Sequence, residues 1–247
     1  MVTQAAVATT ETAGESAYRR IKTDVIFGRL APGQKLRLEK IAQSYGASVS
    51  TLREALNRLG SEGLVIAEGQ RGFEVAPISA DEFRQLAEMR ELLECHALEG
   101  AFEAGDLEWE ARIVAAHHKL AALEKRMLSG DTSQTELWKQ CDWQFHHALI
   151  SACGSKVLLD AHAAVYDKYL RYQMITVVFR GEAAANEHQK LLEAGLERNY
   201  AAARKILGTH IHDCVEHVVG RGGLGARASD AAAPAKGSRG KVHGKRA

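Results

Sequence analysis

The chain contains 247 residues, of which 46% are hydrophobic, and its formal net charge at pH 7 is +1. This length predicts one large domain or two small ones, and the apolar content excludes a wholly disordered chain. The apolar runs are too short to span a bilayer, no signal peptide is recognisable, and the four cysteines form no CxxC pair, which predicts a cytoplasmic protein with free thiols.

Charge is distributed unevenly along the chain. The net charge is −2 in residues 1–15, +4 in 16–78, −7 in 79–220 and +6 in 221–247. Histidine follows the same division, because none of the 11 histidines precedes His96. We therefore predict, in this order, a disordered N-terminus, a basic domain, an acidic domain and a disordered basic tail.

The sequence of the basic domain predicts three helices followed by a hairpin. Helical periodicity marks residues 16–29 and 38–45, and a third helix follows cap candidates at residues 48–50 and runs to about residue 62. Two short β-prone runs, residues 64–67 and 73–76, flank a turn that contains glycines. Three helices and a two-stranded ribbon of this size predict a winged helix-turn-helix.

The third helix carries the pattern of a DNA recognition helix. Leu52, Leu56 and Leu59 share its apolar face, whereas Arg53 and Asn57 lie on the other side. A recognition helix needs this division, because the apolar face anchors it while polar side chains reach base edges. The alternative is a merely solvated surface helix, which the local positive charge and the adjoining hairpin disfavour. The residues predicted to contact DNA are Arg37, Ser48, Ser50, Thr51, Arg53, Asn57, Gln70 and Arg71.

Six further helical segments predict an antiparallel bundle after Pro77. They cover residues 81–105, 107–128, 134–152, 156–179, 184–198 and 200–219. The predicted fold class is therefore mainly α, with an N-terminal winged helix-turn-helix and a C-terminal antiparallel α-helical bundle.

The bundle contains candidate metal ligands. Asp142 and His146 are spaced i, i+4 on one helix, and His188 and His210 lie on later helices. One carboxylate and three imidazoles suit a divalent ion such as Zn²⁺, Ni²⁺ or Mn²⁺. Spacing alone leaves other choices open, since a histidine inside a bundle is often structural and further candidates are numerous. These are His117, His118, His147, His162, His212, His217 and Cys214.

The basic domain resembles the winged-helix half of GntR-family transcriptional regulators. The motifs that carry the resemblance are Ala31-Pro32-Gly33, Leu52-Arg53-Glu54-Ala55-Leu56, Glu62-Gly63-Leu64-Val65 and Arg71-Gly72-Phe73-Glu74-Val75. The family often has arginine where this chain has Glu39 and Val49. The resemblance implies a DNA-binding regulator, and the departures imply an operator sequence different from the usual one.

The bundle resembles the metal-binding, ligand-sensing domain (FCD type) of the FadR subfamily within this family. The shared elements are Asp142-x3-His146, Glu187-His188, His210 and Arg90-Glu91-Leu92-Leu93-Glu94. The resemblance implies that Asp142, His146, His188 and His210 bind the metal and that Arg90 binds an effector carboxylate. The alternative for Arg90 is a salt bridge to Glu94 along the helix.

Two segments, residues 106–111 and 142–155, are similar to regulators of 4-aminobutyrate or glutarate breakdown. This likeness implies a homodimeric repressor that binds two operator half-sites and is released by a short dicarboxylate. The helix at residues 81–105 is the expected transmitter, because it follows the linker. Two alternatives remain: a bundle that only dimerises around a structural metal, and a metal-dependent hydrolase with Glu187 as its base. Since no known hydrolase motif is present, we expect no enzyme activity.

Overall fold

The computed structural model describes residues 12–69, 72–176 and 179–220. The described residues form nine α-helices and three short strands. In chain order these are α1 (Ala13–Ile26), β1 (Lys35–Leu36), α2 (Leu38–Tyr45), α3 (Val49–Ser61), β2 (Val65–Ala67), β3 (Phe73–Val75), α4 (Ala80–Ala104), α5 (Leu107–Leu128), α6 (Thr135–Ile150), α7 (Lys156–Thr176), α8 (Glu182–Leu196) and α9 (Tyr200–Gly220). The predicted basic tail and most of the predicted disordered N-terminus lie outside the described residues.

The first helix begins at Ala13, inside the segment predicted to be disordered. Thr12 is its N-cap, and the Thr12 hydroxyl accepts a hydrogen bond from the Glu15 amide at 3.2 Å. Capping satisfies an amide at the helix start, which explains the earlier start. Helices α1 to α3 then enclose a small core in which Ile21, Leu52 and Leu56 are fully buried.

The predicted two-stranded ribbon is in fact a three-stranded antiparallel sheet in the order β1-β3-β2. The missed strand, β1, pairs with β3 and places Leu36 opposite Phe73. Two residues are too few to show a periodicity of two, so only the pairing with β3 defines this strand. The winged helix-turn-helix prediction is otherwise confirmed.

Helices α4 to α9 form the predicted bundle, and most of their ends lie within two residues of the predicted ones. Their shared core includes Trp109, Phe145, Tyr169 and Leu191, all fully buried. The largest difference is at α7, which ends at Thr176 rather than at residue 179. None of the described helices combines the length and the apolarity needed to cross a bilayer.

Helix α7 connects the two domains. Its Tyr166, Leu170 and Met174 pack with Ile26 of α1 in one buried cluster. The Lys22 ammonium of α1 also pairs with the Asp167 carboxylate of α7 at 2.7 Å. The bundle therefore contacts the DNA-binding domain through α7 as well as through the linker to α4.

Candidate DNA-binding surface and metal centre

A polar groove separates the third helix from the hairpin. Arg53 and Asn57 line it from α3, and Arg37 lines it from the N-cap of α2. Its volume is about 330 Å³, and Gly69 and Gly72 border it from the hairpin. The structure thus brings three of the predicted DNA-contacting residues together on one surface.

The two arginines of this surface differ in ion pairing from Arg58, which lies on α3 with Arg53. Among the described residues, Arg37 and Arg53 are exposed and form no ion pair. Arg58, by contrast, pairs with Glu15 at 2.9 Å and lies 3.6 Å from the centre of the Tyr18 ring. The guanidinium groups of Arg37 and Arg53 are therefore free to bind a polyanion.

Three predicted hydroxyl groups cluster at the start of α3. The Ser48 hydroxyl lies 2.8 Å from that of Ser50 and 2.9 Å from that of Thr51, and it also accepts the Thr51 amide. Hydroxyls and free amides at a helix N-terminus favour phosphate oxygens. The other two predicted contacts, Gln70 and Arg71, lie outside the described residues.

The four predicted metal ligands meet at the centre of the bundle. Asp142 and His146 come from α6, His188 from α8 and His210 from α9, and one ligand atom from each lies within 4.8 Å of the others. All four residues are buried. Because three helices contribute, only the folded bundle creates this group.

Each histidine of this group has its own carboxylate partner. The Nδ1 atom of His146 lies 2.5 Å from the Glu94 carboxylate, and that of His188 lies 2.7 Å from the Glu124 carboxylate. The Nδ1 atom of His210 lies 2.8 Å from the Glu187 carboxylate. A carboxylate at Nδ1 fixes the ring and its tautomer and leaves Nε2 for a metal ion.

The carboxylate of Asp142 is oriented in a similar way. Its Oδ2 atom accepts hydrogen bonds from the Tyr166 hydroxyl at 2.9 Å and from the Lys139 ammonium at 3.2 Å. Its Oδ1 atom has no hydrogen-bond partner among the described residues. One oxygen is thus fixed by Tyr166 and Lys139, and the other faces Nε2 of His188.

The free atoms of this group fit a divalent ion. Oδ1 of Asp142 and Nε2 of both His146 and His188 are buried without a hydrogen-bond partner among the described residues. Oδ1 of Asp142 lies 3.2 Å from Nε2 of His188, near enough for both to reach one ion. Since burying unpartnered polar atoms is costly, a metal ion accounts for this arrangement better than an empty core does.

The pKa values reflect these contacts. Burial would raise the pKa of Glu94 and Asp142, but Arg90 and Lys139 respectively hold these carboxyl pKa values well below their usual range. Burial lowers the pKa of His146. Burial also disfavours charged His188, but the Asp142 and Glu124 carboxylates outweigh it and raise the pKa to about 9.

Arg90 is fully buried and forms the salt bridge that was the alternative to its effector-binding role. Its Nε donates to Glu94 at 2.9 Å, which is the alternative salt bridge along the helix. Its guanidinium lies between the rings of Tyr166 and Tyr169, at 4.5 and 4.7 Å. Nη1 and Nη2 have no hydrogen-bond partner among the described residues, so two donors remain for a ligand.

The cavity beside the metal ligands is very small. Its volume is about 10 Å³, which is room for roughly one water molecule. Lys139, Gln173 and Arg180 line it, and none of these three was predicted from the sequence as a site residue. Lys139 lies three residues before Asp142 on one helix and could have been found from that spacing, whereas Arg180 lies between helices and gives no such signal.

The other candidate residues do not belong to the group of four, although Cys214 lines its small cavity. His162 contacts the Glu94 carboxylate through Nε2 at 3.1 Å, and His117 packs edge-on against the Phe145 ring. Glu187, the base of the hydrolase alternative, is bound instead by Arg180 and His210.

Comparison with known families agrees with this architecture. Residues 13–75 match the family of bacterial regulatory proteins called gntR, and residues 85–213 match the FCD domain. The two matches coincide with the DNA-binding domain and with most of the bundle. The matched families are transcriptional regulators rather than enzymes.

The chain is also similar to individual regulators over most of its length. It is 36% identical to the HTH-type transcriptional regulator BphR of Paraburkholderia xenovorans strain LB400, covering 83% of this chain and 84% of that protein. It is 33% identical to the HTH-type transcriptional repressor GlaR of Escherichia coli strain K12, covering 78% of this chain and 90% of that protein.

Two solved structures share the fold. Escherichia coli McbR/YncC superposes with a TM-score of 0.72 at 18% identity, covering 86% of this chain and 99% of that one. A GntR transcriptional regulator from Rhodococcus sp. RHA1 superposes with a TM-score of 0.69 at 23% identity, covering 84% and 97%. At these identities the likeness supports the fold alone.

Proposed function

The chain belongs to the GntR family of bacterial regulatory proteins and carries an FCD domain, and on this basis we propose that it is a homodimeric repressor released by a small carboxylate. The carboxylate binds at a divalent metal ion held by Asp142, His146, His188 and His210. The observation that carries the proposal is the buried ligand group, whose members are each oriented by a separate partner.

The donor set supports the choice of ion. Three imidazole nitrogens and one carboxylate oxygen suit a borderline divalent cation, and we propose Zn²⁺, with Ni²⁺ and Mn²⁺ as ions that the same donors accept. The partners of the histidines help to fix the rings for any of these ions. When bound, the ion supplies positive charge and open coordination positions for a ligand oxygen.

The charge around the site supports an anionic ligand. The four carboxylates of Asp142, Glu94, Glu124 and Glu187 face three cations, Arg90, Lys139 and Arg180. When the three histidines bind an ion they are neutral, and these buried or nearly buried groups then sum to one negative charge, which a divalent ion changes to one positive charge. Asp213, which also lies near Arg180, is exposed and screened by solvent. A carboxylate compensates that charge, and a C4–C5 dicarboxylate such as glutarate is the effector that we propose.

The DNA-binding surface supports operator recognition. Arg53 is exposed in the N-terminal half of α3, where a recognition helix contacts base edges, and Asn57 is exposed one turn further along the same helix. We expect Arg37 and the hydroxyls of Ser48, Ser50 and Thr51 to contact the phosphates or nearby bases. A dimer presents two such surfaces to the two halves of a pseudo-palindromic operator.

A purely structural metal is the second candidate, and the small cavity favours it. A volume of about 10 Å³ does not admit a five-carbon acid unless side chains move. In this case the bundle would bind metal and dimerise without responding to acids.

A ligand screen on the purified full chain separates these candidates. Metal content, oligomeric mass and thermal shifts with a panel of C3–C6 mono- and dicarboxylates are measured together. We expect a dimer with one divalent ion per chain, and we expect at least one dicarboxylate to raise the midpoint temperature of thermal unfolding. A metal-loaded dimer whose midpoint is unchanged by the whole panel contradicts the sensor function and leaves the structural metal.

A further inference from the structure

One side chain separates the metal-side cavity from an open groove. The groove has a volume of about 510 Å³, lies between the start of α8 and the end of α9, and is lined by Phe179, Gly181, Ala183, Asp213 and Glu216. Arg180 lines both this groove and the small cavity that contains His188 and His210. The Arg180 side chain is only 8% exposed, so it forms part of the wall between the two spaces.

A small set of contacts holds Arg180 in this wall. Both Nη atoms bind the Glu187 carboxylate, and Nη1 lies 3.8 Å from Asp213. Nη2 also lies 3.1 Å from Nδ1 of His210 and 3.3 Å from its carbonyl oxygen. The next residue, Gly181, has φ +62°, a conformation that favours glycine and lets the chain turn into α8.

The short contact between Arg180 and the His210 ring is not a hydrogen bond. Nδ1 of His210 lies 2.8 Å from the Glu187 carboxylate, which only accepts, so Nδ1 carries a hydrogen. Arginine has donors only, so the 3.1 Å contact between Nη2 and Nδ1 joins two donors. Arg180 is therefore held by Glu187 and by the His210 carbonyl oxygen rather than by the imidazole that faces the metal-side cavity.

We propose that Arg180 admits the effector from the groove and then binds its outer carboxylate, so that it selects dicarboxylates over monocarboxylates. The inference rests on the proposed function, in which the inner carboxylate binds at the metal. A guanidinium pairs with a carboxylate through two parallel hydrogen bonds, and in a nearly buried position this pairing discriminates strongly. A monocarboxylate of similar length leaves Arg180 without this partner.

Calorimetric titration of the metal-loaded full chain tests the proposal. Succinate, glutarate and adipate are compared with butyrate and pentanoate, in the wild type, in Arg180→Ala and in Arg180→Lys. Arg198→Ala is the matched control, because Arg198 is also partly buried and pairs with a glutamate, Glu110, at 2.6 Å.

The wild type and Arg198→Ala are expected to bind the favoured dicarboxylate at least about tenfold more tightly than the monocarboxylates, since a charge-assisted pair contributes that much or more. Arg180→Ala is expected to lose this preference, Arg180→Lys to keep part of it, and both to bind Zn²⁺ within about threefold of the wild type. If Arg180→Ala keeps the preference for dicarboxylates, the role proposed for Arg180 is wrong, while the proposed function is not contradicted. A metal-loaded wild type that binds none of the acids overturns the proposed function as well.

A second variant tests the route of entry without changing the charge. Ala183 is exposed and lines the groove, so Ala183→Trp fills it from α8. Stopped-flow mixing is expected to show slower association of the favoured dicarboxylate, by about tenfold, with unchanged metal content. An unchanged association rate shows that the acid does not enter through this groove and contradicts that part of the proposal.

Discussion

On the proposed DNA-binding surface Arg37 and Arg53 are exposed and form no ion pair with any described residue, whereas the three cations around the proposed metal centre are buried or nearly so and each has a carboxylate partner. The first arrangement suits a polyanion, whose binding is weakened by salt. The second suits a small ligand, because paired charges are fixed in place and few donor or acceptor atoms remain unpaired to bind it. We therefore expect the two regions to recognise different kinds of anion with the same residue types, and the difference to lie in the pairing of their charges.

The largest expected effect comes from removing a metal ligand. His188→Ala deletes one imidazole and leaves the buried Glu124 without its 2.7 Å partner. Breaking a buried pair costs about 3–5 kcal/mol, so we expect both the metal and part of the folding stability to be lost. The measurements are metal content after dialysis and the thermal midpoint. His212→Ala, at an exposed histidine that pairs with Glu91, is the control and is expected to keep the metal; full metal content in His188→Ala contradicts the ligand assignment.

The DNA-binding surface is tested by Arg53→Ala. Loss of a base or phosphate contact is expected to weaken operator binding by about 1–3 kcal/mol, with no change in metal content. Fluorescence anisotropy with an operator selected from random duplex DNA measures this. Arg58→Ala, on the same helix but paired with Glu15, is expected to change affinity little. If the two variants lose affinity equally, ion pairing does not distinguish the DNA-binding arginines.

A smaller effect is expected from changing a carboxylate that contacts Nδ1 of one of the three histidines. Glu124→Gln keeps the shape of the side chain but removes the charge beside His188. Such changes typically lower metal affinity by about 10–100-fold. Competition with a chromophoric chelator gives the affinity, and the exposed Glu193→Gln serves as the control. Wild-type affinity in Glu124→Gln shows that Glu124 does not support metal binding.

The smallest expected effect concerns communication between the two regions. Tyr166 donates to Asp142, a proposed metal ligand, and packs with Ile26 of the DNA-binding domain. Tyr166→Phe keeps the packing and removes the hydrogen bond, so we expect the coupling between acid and operator to fall by about 0.5–2 kcal/mol. Tyr169→Phe, whose hydroxyl lies 3.4 Å from a backbone carbonyl, is the control. Equal coupling in the two variants removes Tyr166 from the communication route.

The two regions also differ in how well the sequence predicts them. The helix-hairpin pattern around Arg53 follows from local periodicity, so the second and third helices and the two hairpin strands were predicted to within about a residue, whereas α1 begins and ends three residues before its predicted bounds. Strand β1 was missed because only its pairing with β3 defines it. In the bundle, the residues alone indicate the Asp142 and His146 pair by spacing, while His188 and His210 were chosen from many histidines by resemblance.

The partners of the metal ligands were the least predictable part. Glu124 lies among Leu120, Leu123 and Met127 on a buried helix face, so a charge at an apolar position was its signal. The pairing of Arg180 with Glu187 joins the segment between α7 and α8 to the second turn of α8. Such contacts depend on how the helices pack, which periodicity does not specify.

The proposal that acid binding in the bundle releases the operator is tested most sharply by thermodynamic linkage between the two ligands. Operator affinity is measured by anisotropy for the metal-loaded dimer with and without saturating dicarboxylate, and acid affinity is measured by calorimetry with and without operator. We predict that acid and operator each lower the binding affinity of the other by the same factor, about 5–150-fold, and that this effect disappears in His188→Ala. Operator affinity that is identical with and without acid, in protein shown to bind both, would contradict it.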